Sequence, residues 1–183
     1  MPVGPPIKAQ SMPIKSMKAK EKHCVILKEL FNVAYKLGNK SKEKLEGVDE
    51  RMQAVVRAAI GQTSQDFSVI CGLRTRKEQE ALVAKGASKT MNSKHLDGNA
   101  VDLMAWIDGG RWELNLYDEI ADAMKAAAIE CGVAVKWGAA WSVGDIRNWE
   151  GTMEEAMNAY IDLRRSQGRR PFIDGPHFEL MEG

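Results

Sequence analysis

Two short segments of this sequence concentrate side chains that can bind a metal ion. Residues 93–102 contain His95 and Asp102, and residues 174–179 contain His177. Imidazole nitrogens and carboxylate oxygens are good zinc ligands, and three protein ligands leave the fourth position of a tetrahedron open to water. His95, Asp102 and His177 therefore predict an open zinc site of the catalytic type, whereas His95 and Asp102 taken alone would more often form a surface hydrogen bond.

The turn before His177 offers a candidate proton carrier. Asp174 and His177 are three residues apart, so on a regular strand they would face opposite sides. Gly175 and Pro176 break that strand, and the resulting turn can aim the Asp174 carboxylate at a water molecule beside the metal. There it would act as general base and then as proton donor. Because an ordinary Asp pKa of about 3.9 is low for this role, the prediction requires an environment that suits it.

The segments around these residues alternate between helical and strand patterns. Capping boxes predict helices that begin at Thr75 and at Thr152, and apolar spacing predicts another helix that ends at Gly61. The other predicted elements are strands at Phe67–Cys71, Ala100–Trp106, 133–137 and 177–181, and a helix at Tyr117–Cys131. This order is too irregular for a doubly wound sheet and predicts an α+β fold. We expect one compact domain with a small, mainly antiparallel sheet flanked by helices.

The N-terminal part differs from the rest in charge. Residues 1–44 hold ten Lys and three acidic residues, a net charge of +7, whereas the remainder has a net charge of −6. Four of the six prolines lie in residues 1–20, which predicts a disordered leader, and apolar spacing in residues 21–37 predicts a short helix ended by Gly38. We therefore expect a basic extension at 1–34 and a folded domain at 35–183.

Composition excludes several classes of protein. The chain has no window of 18 apolar residues, so no membrane span is expected, and residues 25–27 are too short an apolar stretch for a secretory signal. Its three widely spaced cysteines favour a reducing site of synthesis over a disulfide framework. The basic extension could attract anionic wall polymers or nucleic acid, but a solvated lysine surface explains it more simply, and no nucleic-acid partner is expected.

The two metal-binding segments also resemble signatures of a known family. Residues 93–102 match the pattern S-x-H-x-x-G-x-A-x-D of the zinc D-alanyl-D-alanine carboxypeptidase and L-alanyl-D-glutamate endopeptidase family, also called VanY-like peptidases. Residues 174–179, with Asp174 where the dipeptidase relatives have Glu, resemble the second signature of its phage endolysin branch. The resemblance extends from about Tyr35 to the C-terminus. Relatives commonly read W-G-G-D-W where this chain has Ala139 and Ala140 between Gly138 and Trp141.

The resemblance implies a role for each candidate residue. His95, Asp102 and His177 would bind Zn²⁺ and Asp174 would be the catalytic base. Arg74 would point its guanidinium at the scissile carbonyl or a substrate carboxylate, which suits a fixed planar cation. Ser93 would be a supporting hydroxyl near the metal. Trp141 is expected to line the substrate groove, while the Ala at position 140 removes any contribution from the acid found in relatives.

The resemblance further implies a zinc peptidase that hydrolyses the L-alanyl-D-glutamate bond in peptidoglycan stem peptides during host lysis. Such an enzyme would act as a monomer and accumulate in the host bacterial cytoplasm until the membrane is permeabilised. Two alternatives stay open from the sequence. The first is a D-alanyl-D-alanine carboxypeptidase with the same chemistry, and the second is a non-catalytic wall-binding module that is stabilised by zinc.

Overall fold

The computed structural model describes residues 34–181 of the 183-residue chain. The predicted basic extension and nearly all of the helix predicted at 21–37 lie outside the described residues. Residues 34–38 are not helical, and Gly38 has φ −67° and ψ 168°. The prediction that Gly38 ends a helix is therefore wrong. Leu37 is buried in the core and Tyr35 packs against it, which an extended segment achieves with alternate residues.

The described residues contain five α-helices and five β-strands. The helices are α1 (Asn39–Lys44), α2 (Glu50–Gln62), α3 (Arg76–Ala84), α4 (Tyr117–Cys131) and α5 (Met153–Ser166). The strands are β1 (Phe67–Cys71), β2 (Ala100–Trp106), β3 (Gly110–Arg111), β4 (Val135–Trp137) and β5 (His177–Leu180). The predicted capping boxes at Thr75 and Thr152 both form and begin α3 and α5. None of the described helices is long and apolar enough to cross a membrane.

The sheet has the strand order β1-β2-β5-β4, with the short β3 paired to β2, and every pairing is antiparallel. The predicted α+β fold with a small antiparallel sheet is confirmed. In the central pair, Asp102 of β2 lies directly opposite His177 of β5. The register of the sheet therefore brings together two residues that are far apart in the sequence.

Alternation along the strands separates a core face of the sheet from a polar face. Val101 and Leu103 are buried in the core cluster, so Asp102 between them projects from the opposite face. In β5, Phe178 belongs to the core in the same way, and His177 and Glu179 flank it on the polar side. Apolar residues of α2, α4 and α5 complete the core. Packing of the core face against the helices fixes the strands, and therefore also fixes the positions of the polar residues on the opposite face.

One buried acidic group gives the fold a measurable pH dependence. Asp118 lies in the first turn of α4, and its Oδ1 is buried without a hydrogen-bond partner among the described residues. Burial, together with repulsion from Glu154, Asp122 and Glu119, raises the pKa of Asp118 from 3.8 to about 7. The folded protein therefore binds this proton more tightly than the unfolded chain does. The resulting stabilisation is complete below pH 4 and is lost as the pH rises through 7.

We expect Asp118→Asn to remove this dependence, because an amide has no proton to lose. Relative to the unmodified protein, the variant should gain about 1 kcal/mol between pH 5 and pH 8, allowing for solvent screening of a half-exposed group. Thermal unfolding at the two pH values should show this as a relative rise of roughly 3 °C. Glu130→Gln, an exposed change on the same helix, is the control. An equal change in melting temperature at both pH values for Asp118→Asn would contradict the assignment.

Candidate active site

Three potential ligand atoms converge on the polar face of the sheet. His95 Nε2 and His177 Nδ1 each lie 3.1 Å from Asp102 Oδ1, and the two nitrogens are 3.3 Å apart. Asp102 and His177 are placed by the pairing of β2 with β5, whereas His95 comes from the short 3-10 helix Lys94–Asp97. The structure thus brings together the three predicted ligands in one triangle.

The backbone on both sides of His95 is fixed by close contacts. Gly98 has φ +70°, and a Cβ atom there would collide with the carbonyl oxygen of Gly47. Arg74 N–H donates to the His95 carbonyl at 2.9 Å, and Asp49 N–H donates to the Gly98 carbonyl at 2.9 Å. These bonds connect the 3-10 helix and the glycine after it to the segment that follows β1 and to the residue that precedes α2. The left-handed turn at Gly98 allows His95 and Asp102 to meet.

Outer hydrogen bonds select the tautomer of each imidazole. His95 Nδ1 lies 2.8 Å from the Gly72 carbonyl, which can only accept, so Nδ1 carries the hydrogen and the Nε2 lone pair faces Asp102 and His177. His177 Nε2 lies 3.2 Å from Glu179 Oε2, so by the same argument His177 Nδ1 has its lone pair toward the triangle. Both rings therefore present a lone pair to the same point, as metal-binding histidines with outer partners do.

The dimensions of the triangle fit zinc. With zinc–ligand bonds of about 2.0–2.1 Å, the edges of a regular tetrahedron are about 3.3 Å long. The three observed separations of 3.1, 3.1 and 3.3 Å match these edges. Two imidazoles with one carboxylate favour zinc over magnesium or calcium, which prefer oxygen ligands. Three protein ligands also leave one position of the tetrahedron for water or substrate.

A second set of possible metal ligands shares two members with the first. The ligand atoms of Cys71, His95 and Asp102 lie within 4.8 Å of one another. Cys71 Sγ, however, is 3.7 Å from His95 Nδ1, the nitrogen that already donates to the Gly72 carbonyl. A metal ion held by His95 Nε2 lies on the other side of that ring. The geometry therefore places Cys71 behind His95, and His177 completes the ligand triangle.

Cys71 reaches this place through a β-bulge. The register between β1 and β2 shifts after Val69, so that Cys71 pairs with Asp102 instead of continuing the alternation. Its Sγ accepts from Arg74 Nη2 at 3.1 Å. Cys71 was not predicted as a site residue, because alternation in β1 alone would place it on the core face.

Charge interactions at the triangle favour a cation. Burial opposes ionisation of Asp102, but hydrogen bonds with His177 and His95 outweigh it and hold the pKa of Asp102 below its usual range. Burial likewise disfavours charged imidazoles, yet the Asp102 carboxylate raises the pKa of His95 to about 10 and that of His177 to about 9. Protons therefore compete with a metal ion for the two lone pairs that face the triangle. The carboxylate thus stabilises positive charge at the point where the three ligand atoms meet.

Arg74 lies at the edge of the triangle and is held on several sides. Its Nη2 is 3.4 Å from Asp102 Oδ2, and its Nη1 donates to Gln79 Oε1 at 2.7 Å. Gln79 is fully buried, and its Nε2 donates in turn to the Thr90 carbonyl at 2.7 Å. Arg74 also lines the cleft above the metal ligands. Gln79 was not predicted as a site residue, since a glutamine on a helix carries no distinctive pattern.

Asp174 is fixed by an unusually close approach of two backbones. Asp174 N–H donates to the Gly138 carbonyl at 3.0 Å, and Gly138 N–H donates to the His177 carbonyl at 2.8 Å. A Cβ atom on Gly138 would lie 2.5 Å from the Asp174 carbonyl oxygen. Burial raises the pKa of Asp174 above its ordinary value, which is the change that a general base requires.

The ligand triangle lies in a cleft of about 720 Å³. Arg74, Asp174, Ser93 and Trp141 line it, so all the other predicted site residues face the same space as the metal ligands. The Trp141 ring stacks on His177 with centroids 5.9 Å apart. Ala140, by contrast, is fully buried in the core, so this position presents no group to the cleft.

Comparison with known proteins shows which family the chain belongs to. A family model described as phage L-alanyl-D-glutamate peptidase matches residues 33–181. The chain belongs to this family. An L-alanyl-D-glutamate peptidase of Escherichia phage T5 is 30% identical over 154 residues, which cover 81% of this chain and all of that protein. The crystal structure of the Serratia marcescens L-Ala D-Glu endopeptidase ChiX matches with a TM-score of 0.60 and 32% identity, covering 85% of this chain and 95% of that one.

These matches confirm the family resemblance that the two sequence signatures indicated. The matched range contains both signatures and every predicted site residue. The two candidate sets of metal ligands differ by one residue, which is His177 in the first set and Cys71 in the second. The zinc affinities of variants at these two positions therefore test which set binds the metal.

We expect His177→Ala to weaken zinc binding by more than the roughly 10–100-fold that is typical for loss of an outer partner. Cys71→Ser should weaken it by about tenfold at most, because Cys71 contacts His95 from behind and Ser can still accept from Arg74. Competition with a chromophoric chelator measures both affinities, and thermal unfolding in chelator checks that each metal-free variant folds. The reverse order of the two affinities would assign Cys71 to the metal in place of His177.

Proposed function

We propose that this protein is a zinc-dependent peptidase that hydrolyses the L-alanyl-D-glutamate bond in the stem peptides of bacterial peptidoglycan. The observation that carries the proposal is the triangle of His95 Nε2, Asp102 Oδ1 and His177 Nδ1, which has zinc dimensions and opens into a cleft. Membership of the phage L-alanyl-D-glutamate peptidase family and the names of both relatives support the choice of bond. As a lytic enzyme it would stay in the host cytoplasm until the membrane is permeabilised.

His95, Asp102 and His177 would hold the zinc ion. When bound, zinc supplies a Lewis acid that polarises a carbonyl oxygen and lowers the pKa of water. Glu179 and the Gly72 carbonyl keep the two imidazoles in the required tautomers and orientations. The ligand triangle is therefore organised before any ion or substrate arrives.

Asp174 would move the proton. Its carboxylate accepts a proton from the attacking water and passes it to the nitrogen of the leaving D-glutamyl residue. The backbone bonds to Gly138 and His177 fix Asp174 beside the ligand triangle, and burial brings its pKa closer to neutrality. Such a base keeps its proton long enough to deliver it to the leaving amine.

Arg74 and the walls of the cleft would hold the substrate. The Arg74 guanidinium is anchored by Gln79 and by Asp102 Oδ2, so it can place a fixed positive charge beside the scissile carbonyl or a substrate carboxylate. Ser93 offers a hydroxyl group to the cleft, and Trp141 offers an aromatic surface. Both would position the peptide without taking part in bond breaking.

Mass spectrometry of peptidoglycan digests tests the reaction. We expect new D-glutamate amino termini when purified peptidoglycan is treated with the zinc-loaded protein, none after chelation, and the same termini after zinc is restored. Release of free D-alanine instead would indicate a carboxypeptidase. No cleavage by folded, zinc-loaded protein would favour a wall-binding module.

We further expect Asp174→Asn to lower kcat by about 10²–10⁴-fold, because an amide cannot accept the proton. Zinc content should be unchanged, since Asp174 is outside the ligand triangle. Asp97→Asn is the matched control, because Asp97 is an exposed carboxylate two residues from His95, and it should keep full activity. Retention of activity by Asp174→Asn at wild-type zinc content would exclude Asp174 as the base.

A further inference from the structure

A second groove joins the catalytic cleft across an aromatic wall. This groove, of about 500 Å³, is lined by Trp141 and Phe172, which it shares with the cleft, and by Tyr160, Leu163, Arg164 and Arg169. The Trp141 ring stacks on His177 at 5.9 Å and on Phe172 at 6.2 Å. A substrate peptide that extends from the ligand triangle along these rings therefore enters this second groove, which we call the arginine groove.

The groove is positively charged. Arg164 lies in the last turn of α5, and Arg169 N–H donates to the Arg164 carbonyl at 2.9 Å where Gly168, at φ +66°, reverses the chain. This turn brings the two arginines together. No carboxylate lines the groove among the described residues, and the Arg169 side chain has no ion pair with them. The groove thus offers two guanidinium groups, and no carboxylate of residues 34–181 lines it to neutralise them.

Two buried donors at the groove have no acceptor. Arg164 Nε and Trp141 Nε1 are both shielded from solvent and make no hydrogen bond within residues 34–181. A buried donor without a partner destabilises a fold, and a bound acceptor removes that penalty. Since both residues line the same groove, their unmet donors point to a ligand rich in oxygen acceptors.

We propose that the arginine groove binds the C-terminal carboxylate of the stem peptide, which lies on the D-glutamyl side of the cleaved bond. This inference rests on the proposed function. On the L-alanyl side the only carboxyl group is the one in the scissile bond. A glutamyl residue keeps one of its two carboxyl groups free whichever one continues the chain, and the C-terminus adds another. The negative charge of the substrate therefore lies on the leaving side, and guanidinium groups pair well with carboxylates.

Synthetic peptides that differ only in the charge of their C-terminus test whether the arginine groove binds a carboxylate. Peptides that begin L-alanyl-D-glutamyl and continue for one, two or three residues are prepared with a C-terminal carboxylate and with a C-terminal carboxamide. For the length whose terminus reaches the groove, the unmodified enzyme should show a KM about tenfold lower for the carboxylate than for the carboxamide. Arg164→Gln with Arg169→Gln should abolish that preference by raising the KM of the carboxylate peptide. Arg165→Gln is the control, because Arg165 is 71% exposed on the same helix and lies 3.9 Å from Asp162.

The outcomes separate this inference from the proposed function. If the unmodified enzyme cleaves the peptides but shows no preference at any length, the arginine groove does not bind the carboxylate, and the proposed function still holds. A preference that the double variant retains, or that Arg165→Gln also removes, overturns the assignment as well. Competition by peptide-free glycan strands that depends on Arg164 and Arg169 would assign the groove to glycan instead. If zinc-loaded enzyme cleaves no peptide and no peptidoglycan, the proposed function itself fails.

Discussion

The Asp102 carboxylate is the group on which the rest of the site depends. Its Oδ1 contacts both imidazoles, and its Oδ2 faces Arg74. A buried carboxylate is costly unless several donors or a cation compensate for lost water, so these contacts must all be kept together. Val101 and Leu103, fully buried on either side, fix Asp102 on the polar face of β2. The hydrophobic core thereby sets the position of a charge that organises the metal ligands.

Backbone contacts complete this arrangement where the sheet ends. Gly98 lets the 3-10 helix turn His95 back over Asp102, and Gly138 lets the segment after β4 approach the turn that carries Asp174. At both places a side chain would collide with a backbone carbonyl. Most of the cost of ordering the site is therefore met in folding, and little reorganisation is left for the binding of zinc or substrate.

Much of this could be predicted from the sequence where a regular period operates. The strands Phe67–Cys71 and Ala100–Trp106 and the helix Tyr117–Cys131 have the bounds that their patterns indicated. The prediction for Gly38 was wrong because a glycine after apolar residues can stand at the end of one helix or at the start of the next, and here it precedes α1. Cys71 and Gln79 escaped prediction for a different reason. Their roles arise from a bulge and from a contact with Thr90, and neither leaves a local pattern.

The segment from Trp137 to Trp141 shows how one stretch of chain can serve the site without a charged group. Trp137 Nε1 donates to the Gly175 carbonyl at 2.8 Å, and this bond fixes the turn between Asp174 and His177. Gly138 bonds to both ends of the same turn, and Trp141 forms the wall shared by the cleft and the arginine groove. Ala139 and Ala140 are fully buried between them. Because apolar packing and backbone bonds position this segment, the geometry of the site does not require an acidic side chain at position 140.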